Sequence, residues 1–362
     1  MSIPWFAKLG IASTQMAFKL GLPIKGIVKQ TLYKQFCGGE TLEEAQHTAE
    51  KLSAHHVSVI LDYGVEAKAS EEEFEHTTEA FLNTIHFAAS KDYIPFVSLK
   101  ITGFARFALL EKIHEQKPLN TEEEKEALRV LARIDKICLL ASQKNTAILI
   151  DAEESWIQQA VDDLADNMME KYNKEKAVVY NTFQLYRHDR LAFMQKSHQK
   201  ALQGKYILGS KIVRGAYMEK ERNRAADLGY EDPIQASKQD TDRDFNEAAT
   251  YCIKHIDTIA LFIGTHNEWS CLKIVNDIIK NGIAKNHHHI HFSQLYGMSD
   301  NITFNLAKEH FNVSKYLPYG PVKDVIPYLM RRAQENTSVA GQTNRELNLI
   351  NKEVARRKHG DS

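Results

Sequence analysis

The chain has 362 residues, 43% of them hydrophobic and 26% charged, with a formal net charge of −1. That is ample material for a soluble core in one large domain or two ordinary ones, and it excludes a global basic field that would draw in nucleic acid. Cys37, Cys138, Cys252 and Cys271 are scattered, with no CxxC and no zinc-like spacing, and read as buried thiols of a reducing compartment.

The N-terminal stretch stands apart in charge. Residues 1–39 carry Lys8, Lys19, Lys25, Lys29 and Lys34 and no acid, interleaved with Trp5, Phe6, Leu9, Met16, Phe18, Leu20 and Ile27. Two readings fit: a helical extension or arm over 1–56 that packs on the domain, or a basic amphipathic segment within 1–36 that rests on an anionic membrane surface. Secretory and transit peptide patterns are absent, and no apolar run approaches the roughly 18 residues of a spanning helix. The expected location is cytoplasmic, with peripheral contact on the inner face of the membrane as the second possibility.

From residue 57 short apolar runs alternate with long amphipathic stretches. The spacing predicts strands over Val57–Tyr63, Pro95–Ile101, Thr146–Ala152, Ala177–Phe183, Ser210–Gly215, Thr258–Thr265, His288–Gln294 and Val313–Pro318, the last being weakest because Val313 is its one β-branched residue. Helices fill the gaps, with capping boxes expected at Ser70-x-x-Glu73 and Thr121-x-x-Glu124. Strands alternating with helices point to an α/β chain: a (β/α)8 TIM-type barrel over 57–340 behind an N-terminal helical extension, with a C-terminal helix and tail over 341–362.

In such a barrel chemistry gathers at the C-terminal ends of the strands. Those ends supply Glu66, Lys100, Asp151, Gln184, Arg214, Tyr217, His266, Asn267, Gln294 and Tyr316. Lys100 and Asp151 each close an apolar strand, where a charge is costly unless it is paired or meets a ligand, so a structural ion pair and a carboxylate-binding pair both fit. Gly215 and Ala216 after Arg214 suit close approach of a flat or phosphorylated cofactor, or an ordinary turn. Thr265-His266-Asn267 suits a polar ring edge or a diphosphate, with Asn267 also a helix N-cap. The run His287, His288, His289 and His291 lacks carboxylates at ligand spacing, and no HExxH, GxGxxG or GxxxxGK[ST] occurs, so no metal is expected and any nucleotide cofactor must sit on barrel loops. Near the C-terminus Arg331-Arg332 follows Tyr316-Leu317-Pro318-Tyr319-Gly320. Paired guanidiniums suit a carboxylate, although helix neighbours point about 100° apart and arginines on a helix face are usually solvated.

Taken together, these segments resemble the proline dehydrogenases. The matching residues are Phe36-Cys37-Gly38-Gly39-Glu40, Leu61-Asp62-Tyr63-Gly64-Val65-Glu66, Ser98-Leu99-Lys100-Ile101-Thr102, Ile150-Asp151-Ala152-Glu153-Glu154, Val213-Arg214-Gly215-Ala216-Tyr217, Thr265-His266-Asn267, Gln294-Leu295-Tyr296-Gly297-Met298 and Tyr316 to Asn336, in family order. The wording is closest to the monofunctional, eukaryotic-like branch. Met218 departs from it, since some relatives have tryptophan there.

The resemblance implies FAD across the barrel mouth, held by Gln184, Arg214, Gly215, Thr265, His266 and Asn267, with Ser237, Leu295 and Glu335 as further candidates. It implies that Lys100, Arg331 and Arg332 clamp the carboxylate of L-proline beside Asp151, that Tyr217 and Tyr316 wall the ring, and that Glu66 pairs with one arginine. The implied reaction is oxidation of L-proline to 1-pyrroline-5-carboxylate, with hydride passing from C5 to FAD and a membrane quinone as final acceptor. Hydroxyproline oxidation and a non-catalytic amino-acid-binding barrel are the alternatives.

Overall fold

The computed structural model describes residues 32–64, 68–322, 324–326, 328–329, 331–332, 351–352, 354 and 356. Eight parallel strands close into a barrel in chain order, β1 pairing with β8. They are β1 Ser58–Tyr63, β2 Phe96–Leu99, β3 Ala147–Ile150, β4 Val179–Gln184, β5 Leu208–Val213, β6 Ile259–Gly264, β7 Ile290–Leu295 and β8 Val313–Tyr319. The helices used below are α1 Leu42–Ser53, α2 Glu71–Ala89, α3 Phe107–His114, α4 Thr121–Lys144, α5 Ser155–Tyr172, α6 Arg190–Gly204, α7 Met218–Leu228, α8 Lys238–Lys254, α9 Glu268–Lys280 and α10 Asp300–Lys308.

Strand parity explains why the runs are apolar throughout. Val59, Leu61, Val97, Leu99, Ile148 and Ile150 point outward into the main core beneath the helices. Ile60, Phe96, Leu149, Tyr180, Phe262 and Tyr316 point inward and fill the barrel as a second cluster. Phe96 meets Phe262 edge-on at 5.1 Å and His291 at 4.8 Å, while His291 stacks on Phe262. This aromatic plug closes the barrel below the mouth. The histidine run is therefore split. His291 faces inward, His289 contacts the Ile256 carbonyl through Nδ1 at 2.6 Å, and His288 is exposed.

All eight expected strands form. β8, the weakest on sequence, is buried along its whole length because it is paired on both sides by β1 and β7. β5 starts and ends two residues earlier than the expected Ser210–Gly215. Gly209 lies inside it, where an added Cβ would collide with the Val179 carbonyl, and Gly215 at φ +140° has already turned out of the strand.

The Ser70 capping box is present, but the second box sits one residue early. Asn120 accepts from the backbone of Glu122 and Glu123, and Glu123 reaches back to the Asn120 N–H. Asn is the better N-cap here because its one carbonyl serves both donors. The segment after β2 forms α3, which buries Leu109 and Leu110 and packs on α5.

Residues 1–31 and 333–350 lie outside the described set, and with them most of the expected arm and part of the expected tail. The described end of the arm is stitched to the chain after β8. Tyr33, Phe36 and Cys37 form a small core with Met298, Val322, Val325, Tyr328 and Leu329, and the Tyr33 hydroxyl donates to the Gly320 carbonyl at 2.8 Å. That core seats the helical backbone carrying Arg331 and Arg332.

Gly209→Ala is expected to cost about 1–3 kcal/mol through overpacking against β4. Urea unfolding measures it, and an unchanged midpoint would contradict the register.

Candidate active site

The mouth of the barrel opens as one cavity of about 700 Å³. Its chemistry starts from a register line. Thr182 pairs with Lys211 and Lys211 with Phe262 across β4, β5 and β6, so all three share the inner face; Asp151, one residue beyond β3, continues that line. Asp151 and Lys211 are thus two strands apart, about 10 Å between backbones, a span a lysine can reach over the small Thr182.

Asp151 is the hub. Its Oδ1 accepts from Lys211 Nζ at 2.5 Å and from the Ser98 hydroxyl at 2.8 Å. Its Oδ2 accepts from the Tyr316 hydroxyl at 2.7 Å and faces Lys100 Nζ at 3.4 Å. Lys100 also lies 3.9 Å from Asp62, which is almost wholly buried. Burial pushes the Asp151 carboxyl up, but Lys211 and Lys100 outweigh it and hold the group well below the usual carboxylate range. Burial, and then Asp151, push the Tyr316 phenol well above its ordinary value, so it stays a hydrogen-bond donor.

Beside the hub, Glu153 is buried and pushed up to about 7, mainly by burial, although the Thr102 hydroxyl and N–H donate to it at 2.5 and 3.1 Å. These bonds tie the turn after β2, which carries Lys100, to the loop after β3, which carries Asp151.

The C-terminal arginines reach the same cavity. The Arg331 guanidinium lies 5.8 Å from the centre of the Tyr217 ring, and Arg332 is buried with its guanidinium 5.2 Å from the Tyr328 ring. Because their helical segment lies over the mouth, neighbours pointing in different directions both face the cavity.

Candidate cofactor residues line the same cavity. Arg214 donates to Asp242 at 2.7 Å, Thr265 at 2.7 Å and Ser270 at 2.9 Å, so its fork is fixed within the protein while it lines the cavity. Gln184 donates to the Glu153 carbonyl at 2.7 Å, and Asn267 caps α9 through the Ser270 N–H at 3.1 Å. His266 is pushed down to about 3 by burial and by Lys315, Arg332 and Arg214, and is a neutral imidazole. Gly215 lines the cavity, but the group that approaches it closely is the ring of Tyr186, which a Cβ there would strike.

Lys100, Asp151, Tyr217, Tyr316, Arg331 and Arg332 therefore converge, as do Gln184, Arg214, Gly215, Thr265, His266, Asn267 and Leu295. Ser237 does not line the cavity; it is the N-cap of α8, accepting from the Asp240 N–H at 3.1 Å. Glu66 and Glu335 lie outside the described residues. Lys211, Asp62 and Ser98 were missed as site residues. Lys211 had a legible signal, being a lone cation inside an apolar strand, and Asp62 likewise interrupts Val59-Ile60-Leu61. Among the described residues no group of three or more His, Cys, Asp or Glu could hold a metal.

A closed (β/α)8 barrel that gathers cationic and aromatic side chains in a cavity at its mouth defines the chain as a TIM-type barrel with its site at the C-terminal ends of the strands. Residues 45–345 match the family model described as proline dehydrogenase. The chain is 34% identical to the mitochondrial proline dehydrogenase 1 of Dictyostelium discoideum over 94% of its own length and 67% of that protein. It is 35% identical to the carbapenem antibiotics biosynthesis protein CarD of Pectobacterium carotovorum subsp. carotovorum over 89% and 83%, and 30% identical to the hydroxyproline dehydrogenase of Xenopus laevis over 91% and 78%. The crystal structure of proline utilization A from Bdellovibrio bacteriovorus inactivated by N-propargylglycine superimposes with a TM-score of 0.78 at 20% identity, covering 87% of this chain and 34% of that one, a likeness of fold. The chain belongs to the proline dehydrogenase family, and as an enzyme it is an oxidoreductase acting on proline.

Asp151→Asn leaves two ammonium groups facing each other in a buried site and is expected to cost about 3–5 kcal/mol at pH 7. Because the folded carboxyl titrates below its unfolded value, its contribution is full above about pH 4 and is lost as pH falls further, so the gap between the two proteins narrows in acid. Denaturant unfolding at pH 7 and pH 3 tests this; equal stability at pH 7 would contradict it.

Proposed function

We propose that the chain oxidises L-proline to 1-pyrroline-5-carboxylate with FAD held across the mouth, and that electrons leave to a membrane quinone. The observation that carries this reading is the convergence of Lys100, Arg331 and Arg332 with the Asp151 hub in one cavity. A set of half-buried and buried cations beside aromatic rings suits a small ring bearing a carboxylate, because guanidinium forks bind carboxylates in a planar, two-toothed way. The cavity is within the usual range for cofactor sites. Its wall combines apolar Val213, Phe262 and Leu295 with the polar groups of Thr265, His266 and Asn267, a donor set that fits a flat ring system and its diphosphate arm. When bound, FAD supplies the two-electron acceptor for the hydride that leaves C5.

The chain's own residues bind and orient. Arg331, Arg332 and Lys100 neutralise the carboxylate and so favour the free amine, whose proton must leave before or as the imine forms; solvent takes it. Asp151 keeps Lys100 in place and pins Tyr316. Tyr316 and Tyr217 wall the ring. Placement of C5 dominates the rate. Because the Tyr316 hydroxyl is anchored to Asp151 and Ser98, its ring cannot readily withdraw, which favours proline over a 4-hydroxylated ring. Turnover on both substrates checks this, a preference for hydroxyproline overturning it.

The basic, apolar segment before residue 32 is the proposed membrane-surface contact, consistent with a quinone acceptor. Among the described residues no helix is long and apolar enough to cross a membrane. Flotation on anionic vesicles is expected for the full chain and not for one lacking residues 1–31, a boundary that leaves the Tyr33 and Phe36 packing intact; equal recovery would reject the contact.

The purified protein is expected to be yellow and to bleach anaerobically with L-proline, whereas a protein that stays colourless with added FAD yet binds proline would be a binding barrel. Arg331→Met and Arg332→Met are each expected to raise the proline KM at least about tenfold, the loss of one charged hydrogen bond. Unchanged kinetics in both would displace the carboxylate clamp.

A further inference from the structure

Glu153 is a buried carboxyl with no part in the chemistry outlined above, and it sits two residues beyond Asp151 in the loop between β3 and α5. Its backbone is fixed from both sides. The N–H donates to Gln158 of α5 at 3.0 Å, and the carbonyl accepts from Gln184 at the end of β4 at 2.7 Å. With its main chain anchored to two elements of the barrel, the residue is a post for whatever its side chain holds.

The side chain holds the turn after β2. Residues Ile101–Gly103 form a single tight helical turn that starts from Lys100, and all three are buried. Inside it the N–H groups of Gly103 and Phe104 donate to the carbonyls of Lys100 and Ile101 at 3.1 and 2.9 Å, so the Thr102 N–H meets no carbonyl of its own turn. Glu153 accepts that N–H at 3.1 Å through Oε1 and the Thr102 hydroxyl at 2.5 Å through Oε2. Two bonds from one residue to one carboxylate fix direction as well as distance.

Lys100, just ahead of this turn, faces Asp151 at 3.4 Å and lines the cavity. The two loops are thus joined twice: by the ion pair at the cavity, and by Thr102 with Glu153, neither of which lines it. Charge is not what the post supplies. Burial pushes the carboxyl up to about 7, against the Thr102 bonds and Lys100, so a neutral acceptor of the same shape suits the position as well.

We propose that Glu153 is a positioning residue for the carboxylate clamp: by accepting both donors of Thr102 it docks the turn after β2 on the loop after β3 and so sets where Lys100 stands in the cavity. The clamp rests on the proline reading above; the docking of the turn does not.

The test uses the full-length protein and three variants. Glu153→Ala removes both bonds, and Thr102→Val removes the hydroxyl while keeping the shape. Glu153→Gln keeps an oxygen for the N–H and offers an amide N–H to the hydroxyl. Amide hydrogen exchange over residues 101–104, read by mass spectrometry, is expected to be about tenfold faster in Glu153→Ala and parent-like in Glu153→Gln. In anaerobic bleaching, Glu153→Ala is expected to raise the half-saturating L-proline concentration about tenfold with the limiting rate within about twofold, the aim of one charged hydrogen bond being lost. Glu153→Gln is expected to restore it and Thr102→Val to fall between; should Glu153→Ala not fold, Thr102→Val carries the comparison. Unchanged exchange, or faster exchange with unchanged proline saturation, overturns the proposal. If no form bleaches with proline, the proline reading fails and the clamp role with it, whereas faster exchange in Glu153→Ala still shows the docked turn.

Discussion

One buried carboxylate organises the mouth of this barrel. Asp151 is flanked by Lys211 and Lys100 and capped by the hydroxyls of Ser98 and Tyr316. A lone charge at this depth would be strongly penalised, and so would either lysine without it. Each group is therefore tolerable only because of the others, and removing one disturbs the rest. The outcome is a fixed set of side chains contributed by β2, β3, β5 and β8, brought together by the stagger of a closed parallel sheet.

Lys100 and the C-terminal arginines line the same cavity, and the helical backbone bearing the arginines is seated by a small core of its own, built from Tyr33, Phe36, Met298 and Val325. On the proposed function, a rigid barrel and a separately seated cap together hold a small anion while Tyr217 and Tyr316 place its ring. Preorganisation of this kind limits the reorganisation needed when the substrate binds.

The architecture was legible in the sequence because parallel strands buried on both faces write long apolar runs, and all eight runs became strands. Errors fell where local chemistry competes. Thr121 and Asn120 both suit an N-cap, and only the two-donor geometry of Asn120 decides. β5 slipped because Gly209, which sequence reading treats as a breaker, is the residue that allows close approach to β4. The family motifs brought Lys100, Asp151, Tyr316 and both arginines to one place. Lys211 lies inside a strand and not at its end, and its charge within a buried run is itself the clue. Ser237 shows the converse: a polar residue at a helix start more often serves the helix.

The most direct test removes the carboxylate from the substrate instead of from the protein. Anaerobic bleaching of the flavin absorbance would be followed with L-proline and with L-prolinamide, which keeps the ring and the amine. If fixed cations in the barrel mouth recognise the acid group, prolinamide should need at least about a hundredfold higher concentration, two charge-assisted hydrogen bonds being lost. Comparable bleaching by both compounds would show that the converging lysine and arginines do not bind the substrate's acid.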